Sequence, residues 1–169
     1  MNKSSSHIIS ENILSNSFYG IYLNASSFNT LNDNTTTNNK IGIYFVNCSG
    51  NQIYNNNFLN NATQVFCGDG NKGSSNEFYL DKISGGNFWN DWKEPDNDDD
   101  GFVDYPYIFP GGHDAYPWIY QDGWKNVILI ADAGPDRKVL IGENIEMDAN
   151  GSYIFNGIIE LYEWDFADG

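Results

Sequence analysis

Over the first eighty-odd residues the apolar positions come in short alternating stretches, separated by asparagine, serine and glycine, and the stretches recur. A shift of 22 residues brings Ile9, Leu31 and Ile53 into one column, Leu14, Thr36 and Phe58 into a second, Ile21, Ile43 and Val65 into a third, and Leu23, Phe45 and Cys67 into a fourth. Asn12, Asn34 and Asn56 form a polar column, Asn16, Asn38 and Asn60 another, and Gly20 matches Gly42. Within Gly20-Ile21-Tyr22-Leu23 and Gly42-Ile43-Tyr44-Phe45 the period is two, which turns the aliphatic residues inward and the tyrosines outward on a strand. Strands this short, repeated at a fixed interval and bounded by turn residues, predict the coils of a β-solenoid, each pairing with the coil above and below. A helical repeat would need longer periodic segments and far less asparagine and glycine. Asparagine tolerates the left-handed conformation of tight corners, and stacked asparagines can bond along the solenoid axis; the latter is the reading for Asn12, Asn34 and Asn56. After an insertion at 68–73 the register is expected to resume, with Asn76, Phe78, Asp81 and Ile83 in the places of Asn51, Ile53, Asn56 and Phe58.

Asparagine fills 16 of the first 61 positions, a composition that without the periodicity would read as disorder. Charge divides the chain. The net charge is −15, yet residues 1–80 carry only Glu11, Asp33, Asp69 and Glu77 as acids. The acid is concentrated later, above all between Asp91 and Asp104, which argues against nucleic acid as a partner and for a cation or a strongly hydrated exterior. No run of apolar residues is long enough for a membrane span. The chain begins in mid-coil, so further coils and a signal peptide are expected upstream.

The columns, together with Gly85-Gly86-Asn87-Phe88-Trp89-Asn90-Asp91-Trp92 and the Asp-rich loop after it, resemble the asparagine-rich parallel β-helix repeats of the NosD-like family and related surface proteins over about residues 4–120. The resemblance implies an all-β fold: a right-handed parallel β-helix of about 22 residues per coil, closed by an aromatic, Asp-rich C-terminal cap. NosD itself is associated with copper delivery. Copper favours clustered His, Met or Cys, and here His7 and His113 lie far apart, with His7 expected at a corner. Cys67 falls in an inward column and Cys48 aligns with Ser26; whether they pair is left open.

Asp96-Asn97-Asp98-Asp99-Asp100-Gly101-Phe102-Val103-Asp104 fits a calcium loop. Calcium takes six to eight oxygens. Asp96, Asp98 and Asp100 at positions 1, 3 and 5 would converge, Gly101 would allow the sharp turn, the Phe102 carbonyl would point inward and Asp104 would close position 9. Position 12 is Tyr107 rather than the usual glutamate, so missing ligands are sought outside the loop, at Asp91 or Asp114. Asp99 is expected to face solvent. The loop resembles those of dockerins and thrombospondin-type repeats. The aromatic residues from Phe88 to Trp124 read as a plug over the open end of the solenoid, with a sugar-stacking platform as the alternative.

From Ala131 the repeat is gone. Ala133-Gly134-Pro135-Asp136 and Trp164-Asp165-Phe166-Ala167-Asp168-Gly169 resemble the start and middle of a PKD domain, an Ig-like β-sandwich, of which this chain holds about half. Strands are expected over 127–130, 144–147 and 159–164, with an unpaired edge left open. The expected organisation is coils over 1–88, a cap with its calcium loop over 89–120, a linker over 121–130 and a partial PKD domain over 131–169. Sequons at Asn24, Asn47, Asn61 and Asn150 are open to glycosylation where exposed.

Together these readings predict a non-catalytic secreted or cell-surface structural or adhesion module that holds Ca2+ and meets cell-surface carbohydrate or other surface proteins. The alternative is a fragment of a β-helix polysaccharide lyase or glycoside hydrolase. Glu11 and Asp33, one period apart, would stack about 5 Å apart, the spacing of a retaining carboxylate pair. A lyase would need a basic residue on the coils, where only Lys3, Lys40 and Lys72 stand.

Overall fold

The computed structural model describes residues 3–68, 75–125, 129–134, 144, 146, 148–154 and 158–164. The chain forms two units, 1–124 and 125–169. Among the described residues there is no α-helix, and no helix is long and apolar enough to cross a membrane.

The first unit is a stack of parallel sheets. β1 (Ile8–Ser10), β4 (Thr30–Asn32) and β7 (Gln52–Ile53) form one sheet. β2 (Ile13–Ser15), β5 (Thr35–Thr37) and β8 (Asn57–Leu59) form a second, which β10 (Phe88–Trp89) extends. β3 (Tyr19–Asn24), β6 (Ile41–Val46) and β9 (Thr63–Cys67) form the third. Registers such as Ile9↔Leu31, Leu14↔Thr36, Ile43↔Val65 and Phe45↔Cys67 place each strand on the one 22 residues later. Leu23, Leu31, Ile43, Phe45, Ile53 and Phe58 point inward and are wholly buried.

The corners follow one rule. Residues with left-handed backbone recur in columns: Lys3, Ala25 and Asn47; Ser6, Phe28 and Gly50; Glu11, Asp33 and Asn55; Asn16, Asn38 and Asn60. The residue after each corner turns its side chain toward the coil below. Asn34 Oδ1 accepts from the N–H and Nδ2 of Asn12, and Asn56 Oδ1 accepts from those of Asn34. Asn29, Asn51 and Asn76 build a second ladder, Asn39 and Asn61 a third. Above the first coil each rung amide also donates to a carbonyl of the coil beneath, as Asn34 Nδ2 does to Ile9 and Asn56 Nδ2 to Leu31. Buried amides are tolerable here because each rung supplies both a donor and an acceptor. His7 stands one residue past its corner, at the foot of the second ladder, where its backbone N–H donates to Asn29 Oδ1.

After the third coil the register departs from its expected course. Asn76 does cap Asn51, and Glu77 does pair with Gln52. Asp81, however, turns outward into a bend that its own carboxylate closes by accepting from the Ser84 N–H, and Ile83 is exposed. Asn87 takes the place on Asn56 instead, and Trp89 the place on Phe58. The reason is chemical. The rung must accept from Asn56 and donate to the carbonyls of Ile53 and Phe78, and an aspartate lacks the donor.

Above this rung Trp89 stacks on Phe58 at 4.2 Å and beneath Tyr107 at 4.3 Å. Tyr107 belongs to an antiparallel hairpin of β11 (Tyr107–Phe109) and β12 (Gly112–Asp114), whose Phe109 packs edge-on against Phe78. Segment 116–124 then lies along the flank. Trp118 Nε1 donates to Asn55, Asp122 and Asn57 exchange two bonds, and Trp124 Nε1 donates to Asp33.

The second unit pairs β13 (Leu129–Ile130) antiparallel with β14 (Tyr153–Ile154). Asp132 and Ser152 brace it, the Asp132 N–H donating to Ser152 Oγ and that hydroxyl to the Asp132 carbonyl. The strand expected over 159–164 does not form. These residues are described without ladder pairing, and Leu161 and Tyr162 are exposed. A strand needs a partner for its backbone, and none is offered among the described residues. Asn144 and Glu146 are likewise outside any strand. Val127, Ile128, Ile145, Met147 and the motif from Asp165 onward lie outside the described residues.

Candidate metal centre

The acidic loop leaves the last rung after Trp92 and returns onto segment 116–119. Val103 N–H donates to the Pro117 carbonyl, Ile119 N–H to the Gly101 carbonyl, and Phe102 pairs with Trp118 in the antiparallel sense. Asp104 N–H closes the loop on the Pro95 carbonyl. Asp99 and Gly101 both take left-handed backbone, which tightens the turn.

This fold of the loop gathers Asp96, Asp98 and Asp104, one carboxylate oxygen of each lying within 4.8 Å of the others. Two backbone donors steady Asp96, the N–H groups of Asp100 at 3.2 Å and Gly101 at 3.0 Å. Asn97 donates to Asp104 through both its backbone and its side-chain amide. Partial burial raises the Asp96 carboxyl above its ordinary value, against the pull of those N–H groups, and the Asp100 charge pushes the same way. Like charges this close repel, and a hard cation bound by oxygen alone would reverse that.

Asp100 and Asp91, the other carboxylates of the predicted set, are engaged by partners of their own. Asp100 is buried, pairs with the Lys82 ammonium at 2.6 Å through one oxygen and accepts the Phe102 N–H through the other. The same bond fixes Phe102, whose ring packs on Trp118 at 4.4 Å. Asp91 accepts from the Tyr107 hydroxyl at 3.2 Å; burial first, and the Asp91 charge second, hold that phenol above its usual range. Asp99 is exposed.

Asp114 has a different office, invisible in the sequence. It is fully buried and gathers the Asn87 N–H, the Asn87 amide and Trp89 Nε1 on one oxygen and the Tyr116 N–H on the other. It thus bolts the last ladder rung to the hairpin. Burial pushes its carboxyl up to about 7 even though those bonds lower it. Gly86 must be glycine, since a Cβ there would sit 1.8 Å from Asp114 Oδ1.

Among the described residues no group of His and Cys side chains converges as the acids do. His7 and His113 are exposed, and His113 faces the Tyr79 ring at 5.4 Å. Cys48 lies in the core, its Sγ bonded to the Ser26 N–H and the Val46 carbonyl. Burial lifts the Cys67 thiol to about 11, with a smaller push from Cys48. Among the described residues the acidic trio is the sole place where three ligand side chains converge. The carboxylates once readable as a catalytic pair are also separated in role. Asp33 accepts from Trp124 through one oxygen and from Asn32 through the other, while Glu11 is exposed.

Residues 1–94 match the family model described as periplasmic copper-binding protein (NosD). Neither the curated proteins nor the solved structures contain a match to this chain.

Proposed function

The chain belongs to the NosD family, and from that membership we propose that it is a non-catalytic structural or adhesion module working outside the cytoplasm, its solenoid closed by a cap that holds Ca2+. In this reading the stacked sheets are a right-handed β-helix of about 22 residues per coil, and residues 131–169 belong to a PKD-like sandwich. The family description supports an extracytoplasmic setting. The observation that carries the calcium reading is the convergence of Asp96, Asp98 and Asp104 within 4.8 Å, in a loop whose spacing suits a hard cation. The Phe102 carbonyl and water would complete the shell, with Asp100 and Asp91 within the same acidic field.

The copper named in the family description is not supported by the donors among the described residues, which are oxygen where three converge, with no such group of His and Cys. The lyase or hydrolase alternative is weakened because Trp124 and Asn32 occupy Asp33, leaving Glu11 without a facing free carboxylate.

Isothermal titration of the chelator-treated chain with Ca2+ tests the proposal. The expected result is saturable binding near one equivalent, abolished in Asp98→Ala/Asp104→Ala, with no stoichiometric Cu2+ or Cu+ uptake against a competing chelator. Absence of calcium binding, or tight copper binding lost on replacing His7, His113 or the cysteines, contradicts it.

A further inference from the structure

The outer face of β4 and β7 carries a groove, distinct from the acidic loop, with two lobes of about 490 and 370 Å³ that share Gln52 and Glu77. Its floor is a column of outward side chains, Thr30, Gln52 and Glu77, set by the pairings Thr30↔Gln52 and Gln52↔Glu77. Phe28 stands at one end, and Tyr79 and Asp81 at the other.

Phe28 is the anomaly. It occupies the corner column that Ser6 and Gly50 also fill, with φ of 56°, a conformation costly for a bulky residue. Gly50, one coil on, meets the same demand without strain. Burial does not explain the phenylalanine, because the residue is 67% exposed, with the Cδ1–Cε1 side of its ring beside Gly50. Strain of this kind persists where function holds it. The floor is also unspent. The Gln52 amide and the Glu77 carboxylate form no side-chain hydrogen bond among the described residues, although most amides of these coils are committed to ladders. Tyr79 is steadied by the His113 and Tyr116 rings.

We infer that this groove binds a neutral oligosaccharide lying along the solenoid axis. An aromatic face open to solvent takes the C–H face of a sugar ring, as aromatic surface with a polar surround does in small-ligand sites. Hydroxyls donate to Glu77, and the Gln52 amide both donates and accepts. Adjacent coils place these groups about 4.8 Å apart, close to one hexose of an extended chain. Glu77 and Asp81 supply negative charge, and no base stands among the described lining residues, so acidic glycans are repelled. The inference deepens the surface-module reading by naming a site and a ligand class, and it uses no residue of the acidic loop.

The test is retention of the full chain, in calcium-containing buffer, on an array of neutral and anionic glycans with an oligolysine peptide beside them, followed by calorimetry on the best neutral oligosaccharide. Neutral glycans of three or more units are expected to bind. Affinity is expected to fall at least tenfold in Phe28→Gly and in Gln52→Ala/Glu77→Ala, while Phe28→Gly melts no lower than wild type because glycine accepts the corner. Binding to anionic glycans or oligolysine alone, no binding to any neutral glycan, or neutral binding indifferent to both variants overturns the inference. Those outcomes leave the calcium titration unaffected, so the two readings fail separately.

Discussion

Asn38 and Asn39 are neighbours of the same residue type with opposite duties. Asn38 takes the left-handed corner with φ of 55° and is exposed, whereas Asn39 is buried, its amide bonded to Leu14 and Asn61 and its oxygen to the Ser17 N–H. Asn38→Gly is therefore expected to change stability by less than about 0.5 kcal/mol, since glycine adopts that conformation freely. Asn39→Gly is expected to cost about 2–4 kcal/mol by stranding buried partners. Urea denaturation of the two variants checks this. Spacing made the ladder of Asn12, Asn34 and Asn56 readable, because a buried column repeats its residue. It did not distinguish corner from rung, since asparagine serves both, and the ladders through Asn51 and Asn61 were not singled out. Asp114 was legible only as a spare carboxylate, because its four donors come from residues gathered by the cap. Its carboxyl keeps a proton up to about pH 7 in the fold, while in the unfolded chain it loses that proton near pH 4. Between these values the folded state binds more protons, so stability falls as pH rises from about 4 to about 7 and is flat above. Thermal melts across that range are expected to show the decline, and Asp114→Asn is expected to remove it while lowering stability throughout.

Among the elements, β3, β6 and β9 rest on close backbone approach at one column, where Gly20 lies against Gly42 and Gly42 against Gln64. A Cβ on Gly42 would meet the Gln64 carbonyl at 2.5 Å and Asn61 Nδ2 at 3.0 Å. Gly42→Ala must push coils apart, and it is expected to cost about 2 kcal/mol or more, measurable as a lower midpoint in denaturant. The matching of Gly20 to Gly42 signalled this position. On the outer side of the same sheet Tyr22, Tyr44 and Phe66 stack ring on ring, with Tyr44 5.4 Å from Tyr22 and 5.2 Å from Phe66, a consequence of the period of two. The excursion at 79–86 escaped a spacing argument. Counting residues selects Asp81 for the rung, and only the need for an amide donor selects Asn87. The flank segment escaped for another reason. Trp118, Asp122 and Trp124 meet residues 63 to 91 positions away, and nothing periodic marks such pairs.

At the scale of the whole first unit the acidic loop, the flank segment and the last rung form one connected structure. The loop bonds segment 116–119 through Val103, Gly101 and Phe102, and Trp118 N–H donates to the Asn87 carbonyl while its indole reaches Asn55. A cation held by Asp96, Asp98 and Asp104 would therefore stabilise the cap as well as the loop, by mass action on the folded state alone. The loop's composition pointed to a cation from the sequence. Which acids converge did not follow from it, because Lys82 draws Asp100 aside and Tyr107 engages Asp91, both contacts set by the cap. The most direct measurement is thermal unfolding of the full chain in millimolar Ca2+ and in chelator, for wild type and Asp98→Ala/Asp104→Ala. The account predicts a wild-type midpoint higher in calcium by about 5–10 °C, as an increment of about 2–3 kcal/mol produces in a domain of this size, and no shift in the variant. Superimposable wild-type melts in calcium and chelator would contradict it.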